Sequence, residues 1–426
     1  MKKSLSLMHL TFYGTGMILG AGIYSVIGKA GGIAGNGLWL SFLLAALCAS
    51  MTALSYAELA TMFPKTGGEY IYLKNIFPQW PYLAMLCGSL MIFAGFSTAT
   101  TVAIAFSGYL HQFFQMPQFL TALLLLGVFT SINILGIKES SWVNVVFTLI
   151  EILGLLIFVW IGVQSPSFGE ALSNVKWEGT IVSGAALVIF AYFGFENIVN
   201  LVEESKTPEK DLPKGIIISL LVSTALYLLV SLAALALGTP EELGLSNAPL
   251  SDLTKNAATW VPKALGGIAL FSTANTVLIS MISTSRIIFS MAREKDLPAV
   301  FAKLSPRRDT PWTGAIAVFV LAMALLPSGG IEVVASASSF ATMIAFSIIN
   351  LSLIHLRFTA PKKNRPFKVP LSLGRLPLIP VLATTVSVAL LFFFPRAVYV
   401  LGFGVLGFIS ILYLILRSSK SLNSSK

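Results

Sequence analysis

Residues Thr15 to Gly28 read TGMILGAGIYSVIG, and residues Phe190 to Asn197 read FAYFGFEN. Each stretch lies inside a long apolar run and puts glycine where a membrane-crossing helix has most to lose. Glycine costs a helix interior about 1 kcal/mol relative to alanine, yet Gly14, Gly16, Gly20 and Gly22 crowd into the first run. In the second, Gly194 stands between aromatic residues, with Glu196 two positions on. Irregular backbone inside a bilayer survives only where protein or a water-filled cavity satisfies its polar groups. The two stretches therefore predict two helices interrupted near mid-membrane.

The rest of the chain supports that setting. Of 426 residues, 56% are hydrophobic and 11% charged, where soluble domains carry about 25% charged residues. A bilayer core of about 30 Å needs about 20 apolar residues per helix. Runs of that kind place spans near 9–32, 37–62, 80–109, 117–136, 142–163, 179–201, 214–238, 263–292, 311–327, 331–356, 374–394 and 397–417. An all-α integral membrane protein of twelve transmembrane helices is expected, occupying 1–426 as one domain. The formal charge of +10 raises the question of nucleic acid, and the position of the cations answers it. Of the 28 Lys and Arg, all but Lys29, Lys176, Lys255, Lys263 and Arg396 fall in the N-terminus and alternate loops on one side. The positive-inside rule places that side, and both termini, in the cytoplasm. The charge reports topology in a lipid bilayer, with no nucleic-acid partner.

Other signals exclude functions. Met1 to Leu10 leads straight into a long span, without the short apolar core and cleavage site of a signal peptide. Cys48 and Cys87 lie within spans at a spacing that fits no disulfide framework. His9, His111 and His355 form no ligand pair, and no phosphate-binding loop is present. No metal and no cofactor is expected, and no nucleophile or base cluster that would make an enzyme.

The interrupted first and sixth spans open what reads as two five-span halves, about 9–163 and 179–356, followed by two further helices over 374–417. Broken helices in corresponding positions of two repeats mark the binding site of many secondary transporters. Longer motifs point the same way: YAELATMFPKTGGEYIYL at Tyr56–Leu73, GAGIY at Gly20–Tyr24, NILGIKES at Asn133–Ser140, FAYFGFENIVNLVEESKTPEKDLPKGI at Phe190–Ile216 and SRIIFSMAREKDLP at Ser285–Pro298. Across essentially its whole length the chain resembles the amino acid, polyamine and organocation transporter superfamily. That resemblance implies an inverted five-plus-five repeat (LeuT-like), with helices 1 and 6 unwound, working by alternating access.

An amino acid offers one anion and one cation, and a broken helix has a partner for each. The N-terminal end of the second half-helix presents amide N–H groups and the positive end of its dipole, so Ala21, Gly22 and Ile23 are the expected carboxylate site, with Gly20 at the break. Carbonyls of Met17 and Ile18, with Phe190 and Ala191 opposite, are expected to take the ammonium. Gly194 keeps the backbone accessible, Phe190 and Tyr192 are candidates for closing over the substrate, and Glu196 for organising the unwound segment or a cytosolic gate.

Ionisable groups inside spans are functional suspects by default. Glu151 lies about 13 Å into a span counted from Trp142. In the resembled family a lysine often stands there, at the place sodium fills in relatives, so a lysine mechanism does not carry over. Glu151 is the expected coupling group, either as a proton carrier or as part of a cation site with Ser283 and Thr284; a structural, hydrogen-bonded glutamic acid is the alternative. Glu58 and Arg286, toward cytoplasmic span ends, are expected in solvated gate or scaffold ion pairs, and Pro208, Pro213 and Pro298 as helix stops. The expected function is amino acid transport across the cytoplasmic membrane, coupled to H+ or Na+. Exchange, polyamine or organic-cation transport, and a transporter-like sensor are the alternatives.

Overall fold

In the computed structural model, residues 3–111, 114–173, 178–246, 248–255, 257–328 and 331–424 are described. They are almost entirely helical. The first part comprises α1 (Leu7–Ala34), α2 (Leu38–Met62), α3 (Gly68–Ile76), α4 (Pro81–His111), α5 (Gln118–Leu135), α6 (Ile137–Val163), α7 (Phe168–Ser173) and α8 (Gly179–Val188). After two short-pitch segments come α9 (Pro208–Leu237), α10 (Pro240–Leu245), α11 (Pro249–Leu253), α12 (Val261–Arg293), α13 (Trp312–Leu325), α14 (Ile331–Thr359), α15 (Leu378–Leu391) and α16 (Arg396–Ser424). A two-residue antiparallel ribbon, Ser372–Leu373 with Leu376–Pro377, precedes α15. Among the described residues nine stretches are long and apolar enough to cross a membrane, and α13 and α15 are shorter apolar helices. This is a multi-pass membrane protein.

Two boundaries differ from expectation. Pro208 and Pro213 do not stop a helix: Pro208 opens α9, where proline's missing N–H has no intrahelical partner to lose, and Pro213 lies inside α9, which continues past it at the loss of the ladder bond to the Glu209 carbonyl. Similarly, α6 begins at Ile137, directly after Gly136 at φ 148°, so Glu151 sits near the middle of the helix.

Every residue of α12 from Ser272 to Ala292 is buried. A helix covered on all faces is a central one, and α12 packs against α4, α6, α1 and α13. On its other side α1 lies against α9, α10 and α8. Both interruptions therefore occur in helices held from several directions. In α1 the helical geometry fails at Gly20 (φ 18°, ψ −153°). In the sixth stretch α8 tightens into a 3-10 turn over Ile189–Tyr192. Phe193 is extended, Gly194 turns at φ 135°, and a second 3-10 segment runs Phe195–Glu204.

Glu58 and Arg286 are fully buried and paired, not solvated as expected. Arg286 donates from Nε and Nη2 to the two oxygens of Glu204, both at 3.1 Å, and from Nη1 to Asn133 Oδ1. Glu58 accepts from Arg357 Nη2 at 2.5 Å, Arg365 Nε at 3.0 Å and the Val369 amide at 2.8 Å. The guanidinium fork fits both carboxylate oxygens, so the charges are neutralised and hydrogen-bonded together. Removing one partner leaves a buried charge, which typically costs about 3–5 kcal/mol. Glu204→Gln and Arg286→Met are each expected to lower thermal stability in detergent by that order, and the double substitution by clearly less than their sum. Strict additivity would contradict the pairing.

In α3, Glu69 is wholly buried and accepts a hydrogen bond from Tyr56 Oη at 2.9 Å. Burial raises its carboxyl to about 7, opposed by hydrogen bonds from its own backbone and Tyr56 and reinforced by Glu196. From about pH 4.5, the ordinary value, to about pH 7 the folded chain holds a proton that the unfolded chain releases. Stability must fall as pH rises through that window. Thermal unfolding of Glu69→Gln is expected to lose this slope; retention of the parent's slope would contradict it.

Candidate functional site

The two interruptions face one cavity of about 340 Å³. Met17, Ile18 and Gly22 line it from α1, and Phe190, Ala191, Phe193, Glu196 and Asn197 from the sixth stretch. Opposite them stand hydroxyl groups: Thr276, Ser280, Ser283 and Thr284 from α12, Thr98 and Thr101 from α4, Ser338, Ser339 and Thr342 from α14. Close approach requires the glycines. A Cβ on Gly194 would lie 2.6 Å from Met17 Cγ, and one on Gly22 3.0 Å from the Ala191 Cα. Any side chain at either position would push the broken segments apart.

Losing helical geometry leaves carbonyls and amides without their ladder partners. Two side chains supply replacements. The Tyr227 hydroxyl, from α9, lies within hydrogen-bond distance of Ile18 O, of Leu19 O at 3.3 Å and of Ala191 O at 3.1 Å. One proton is shared among three carbonyls, two from the first interruption and one from the second. Glu196 Oε2 accepts from the Gly194 amide at 2.7 Å, and its Oε1 from Asn197 Nδ2 at 3.0 Å. Glu196 thus organises the unwound segment and is the one ionisable side chain among the described lining residues. Both of its oxygens are engaged.

The residues singled out from sequence divide. Met17, Ile18, Gly22, Phe190 and Ala191 come together at the cavity, as do Ser283 and Thr284. Gly20 stands beside it, where a Cβ would lie 2.4 Å from Thr276 Oγ1. The side chain of Ala21 lies outside the described residues, and Ile23 is buried away from the lining. Tyr192 turns away: its hydroxyl donates to Phe42 O at 3.1 Å and its ring packs on Tyr227, with centroids 5.1 Å apart. The aromatic groups at the cavity are instead Phe190 and Phe193, edge-on to one another at 5.4 Å, with Phe190 tilted against Phe394 at 5.5 Å. Sequence reading missed Phe193, Asn197 and Tyr227. Tyr227 carries no distinguishing signal in the sequence, because its span also carries the hydroxyls of Ser219, Ser223, Thr224 and Ser231.

Glu151 is not joined to Ser283 and Thr284. Its Oε1 accepts from Ser272 Oγ at 2.5 Å, and Ser283 lies eleven residues further along α12, about 16 Å at 1.5 Å per residue. Ser283 accepts from Asn200 Nδ2 at 2.9 Å, while Thr284 donates to Ser280 O. Close to α1 a second polar group forms: Asn144 donates to Asn275 Oδ1 at 2.9 Å, Asn275 to Thr148 Oγ1 at 3.0 Å, and Thr148 to Phe12 O at 3.3 Å. A Cβ on Gly16 would lie 2.2 Å from Thr148 Oγ1, so the first helix lies directly on this group. Among the described residues no three His, Cys, Asp or Glu cluster as metal ligands.

Comparison with known proteins places the chain among transporters. Residues 5–416 match the family model described as amino acid permease. The chain is 31% identical over 408 residues to the branched-chain amino acid permease BcaP of Bacillus subtilis, covering 90% of this chain and 86% of the relative. It is 30% identical to the vacuolar cationic amino acid transporter 4 of Arabidopsis thaliana, over 84% of this chain and 64% of that longer relative. The methylthioribose transporter of Bacillus subtilis is 27% identical over 92% and 88% of the two chains.

Tyr227→Phe keeps the ring and removes the hydroxyl shared by the interruptions. Unpairing buried carbonyls costs about 1–3 kcal/mol, so this variant is expected to lose that much stability and to bind substrate more weakly. Thermal unfolding with and without substrate is the measurement; an unchanged midpoint and unchanged ligand response would contradict the assigned role.

Proposed function

The chain belongs to the amino acid permease family, and from that premise we propose that it is a secondary transporter carrying neutral amino acids across the cytoplasmic membrane by alternating access. The observation that carries the proposal is the meeting of two helix interruptions at a single cavity. Amide groups after Gly20, at Ala21, Gly22 and Ile23, take the substrate carboxylate at the positive end of the second half-helix. Carbonyls of Met17, Ile18, Phe190 and Ala191 take the ammonium. Ile18 and Ala191 already accept from Tyr227, and the second lone pair of each carbonyl serves the substrate. Phe190 closes over it. The twelve-span reading, with repeats over 9–163 and 179–356, a C-terminal pair over 374–417 and both termini cytoplasmic, is the architecture this mechanism uses.

Neutral substrates are favoured over cationic amino acids and polyamines by the composition of the cavity wall. Glu196, the one ionisable side chain among the described lining residues, already spends one acceptor position of each oxygen within its own segment, on the Gly194 amide and on Asn197. The hydroxyl-bearing wall and the apolar wall of Met17, Met91 and Ile287 suit an uncharged side chain.

Coupling runs through Glu151, buried at the middle of α6, one oxygen held by Ser272 and the other without a hydrogen-bond partner among the described residues. A proton carrier is the reading its surroundings support best. The cation site expected from Glu151 with Ser283 and Thr284 is not assembled, since Ser283 lies about 16 Å along α12 from Ser272, the hydrogen-bond partner of Glu151.

Uptake of labelled amino acids into proteoliposomes tests the proposal. An inward proton gradient is expected to drive accumulation of a neutral amino acid in sodium-free medium, with excess lysine or putrescine competing weakly and Gly22→Val abolishing uptake. Uptake that requires sodium, prefers lysine or survives Gly22→Val would overturn the corresponding part.

A further inference from the structure

On α12, Leu265, Ala269, Ser272 and Thr276 follow at intervals of four, three and four, the spacing that aligns side chains along one helix face. Thr276 lines the substrate cavity. Leu265 and Ala269 line a second cavity of about 40 Å³, walled also by Tyr24 of α1, Tyr109 of α4 and Ser251 of α11. Ser272, the hydrogen-bond donor to Glu151, lies between: about 4.5 Å along the axis from Ala269 and about 6 Å from Thr276. Glu151 is therefore positioned roughly one helical turn from each of two separate cavities.

The groups between Glu151 and the small cavity lack partners. Glu151 Oε2 and Tyr24 Oη are both buried with no hydrogen-bond partner among the described residues. The two side chains lie within electrostatic reach of one another, as do Tyr109 and Tyr24, and Tyr227 and Glu151. A water needs about 10–15 Å³ and two or more polar partners, which the cavity volume and the hydroxyls of Tyr24, Tyr109 and Ser251 provide. The cavity sits at the Val261 end of α12, opposite the end that carries Arg286 and Arg293.

We infer that this small cavity is a hydrated proton port serving Glu151 from the membrane face opposite the arginine-rich end of α12, apart from the substrate path, with the Tyr24 hydroxyl as its relay. An excess proton on cavity water passes to the Tyr24 oxygen while the hydroxyl's own proton moves, through an intervening water, to the Glu151 carboxylate. The tyrosine ends neutral, Glu151 ends protonated, and the cavity water has given up one proton. Loading of Glu151 then does not require the substrate cavity to be empty. The inference rests on the reading of Glu151 as the proton carrier, and its test separates the two.

The full-length protein is reconstituted in liposomes containing a pH-sensitive dye, and substrate-driven proton influx is followed as external pH is varied. Tyr24→Phe removes one unpartnered hydroxyl, and Ala269→Leu fills the cavity. A substrate-induced rise in thermal stability identifies folded variants. Proton influx is expected to fall about tenfold or more in either variant, the scale of losing a positioned proton-transfer group, and in Tyr24→Phe the half-maximal rate is expected to shift to lower external pH. If folded Tyr24→Phe keeps the parent's rate and pH profile while Glu151→Gln abolishes influx, the port is wrong and the coupling role of Glu151 stands. If Glu151→Gln itself carries protons at the parent's rate, the coupling reading falls and the port falls with it.

Discussion

A single hydroxyl group holds the centre of this molecule together. Tyr227 reaches from α9 to carbonyls on both interrupted helices, Ile18 and Leu19 on one and Ala191 on the other. In a bilayer an unpaired backbone group costs several kcal/mol, so a helix can be broken there only if its orphaned groups find partners within the protein. Tyr227 provides them on the carbonyl side and Glu196 does so for the Gly194 amide. What remains open toward the cavity is the set of backbone groups an amino acid can use. The glycines serve the same end by proximity, since Gly22 and Gly194 let the two broken segments touch.

Around this centre α12 forms one wall. It is buried continuously from Ser272 to Ala292, and its functions are graded along its length. Near one end Leu265 and Ala269 floor the small cavity; Ser272 holds Glu151; Thr276 to Thr284 supply hydroxyls to the substrate cavity. At the other end Arg286 and Arg293 bind Glu204 and Glu203, which terminate the broken sixth stretch. Any movement of that stretch relative to α12 must therefore rearrange two ion pairs, one of them fully buried. In the alternating access proposed for this chain, this linkage would tie the change of state to the integrity of the interrupted helix.

Much of the plan was legible in the chain because its causes are local. Span positions follow from apolar run length, and the interruptions follow from glycines placed where a helix would exclude them; Gly20 and Gly194 have non-helical geometry, with Phe193 extended beside the second. The family emerged from long ordered motifs. What could not be read was facing. Helices that are apolar on every side give no period from which to orient a residue, so Tyr192 and Phe190, two positions apart, were assigned one role, and only Phe190 reaches the cavity. Partners distant in sequence were equally hidden. Neither Glu151 to Ser272 nor Arg286 to Glu204 has a signature in spacing. Arg286 and Glu58 looked solvated from their place near span ends, while tertiary contacts enclose both.

The central claim is that bare backbone at two helix interruptions holds the substrate. A substrate-bound structure by electron cryo-microscopy in lipid nanodiscs tests it most directly. The account expects density for a neutral amino acid with its carboxylate at the Gly22 amide and its ammonium beside the Ile18 and Phe190 carbonyls, and Tyr227 still bridging both helices. Continuous helices through Gly20 and Gly194, or a ligand seated away from them, would contradict it.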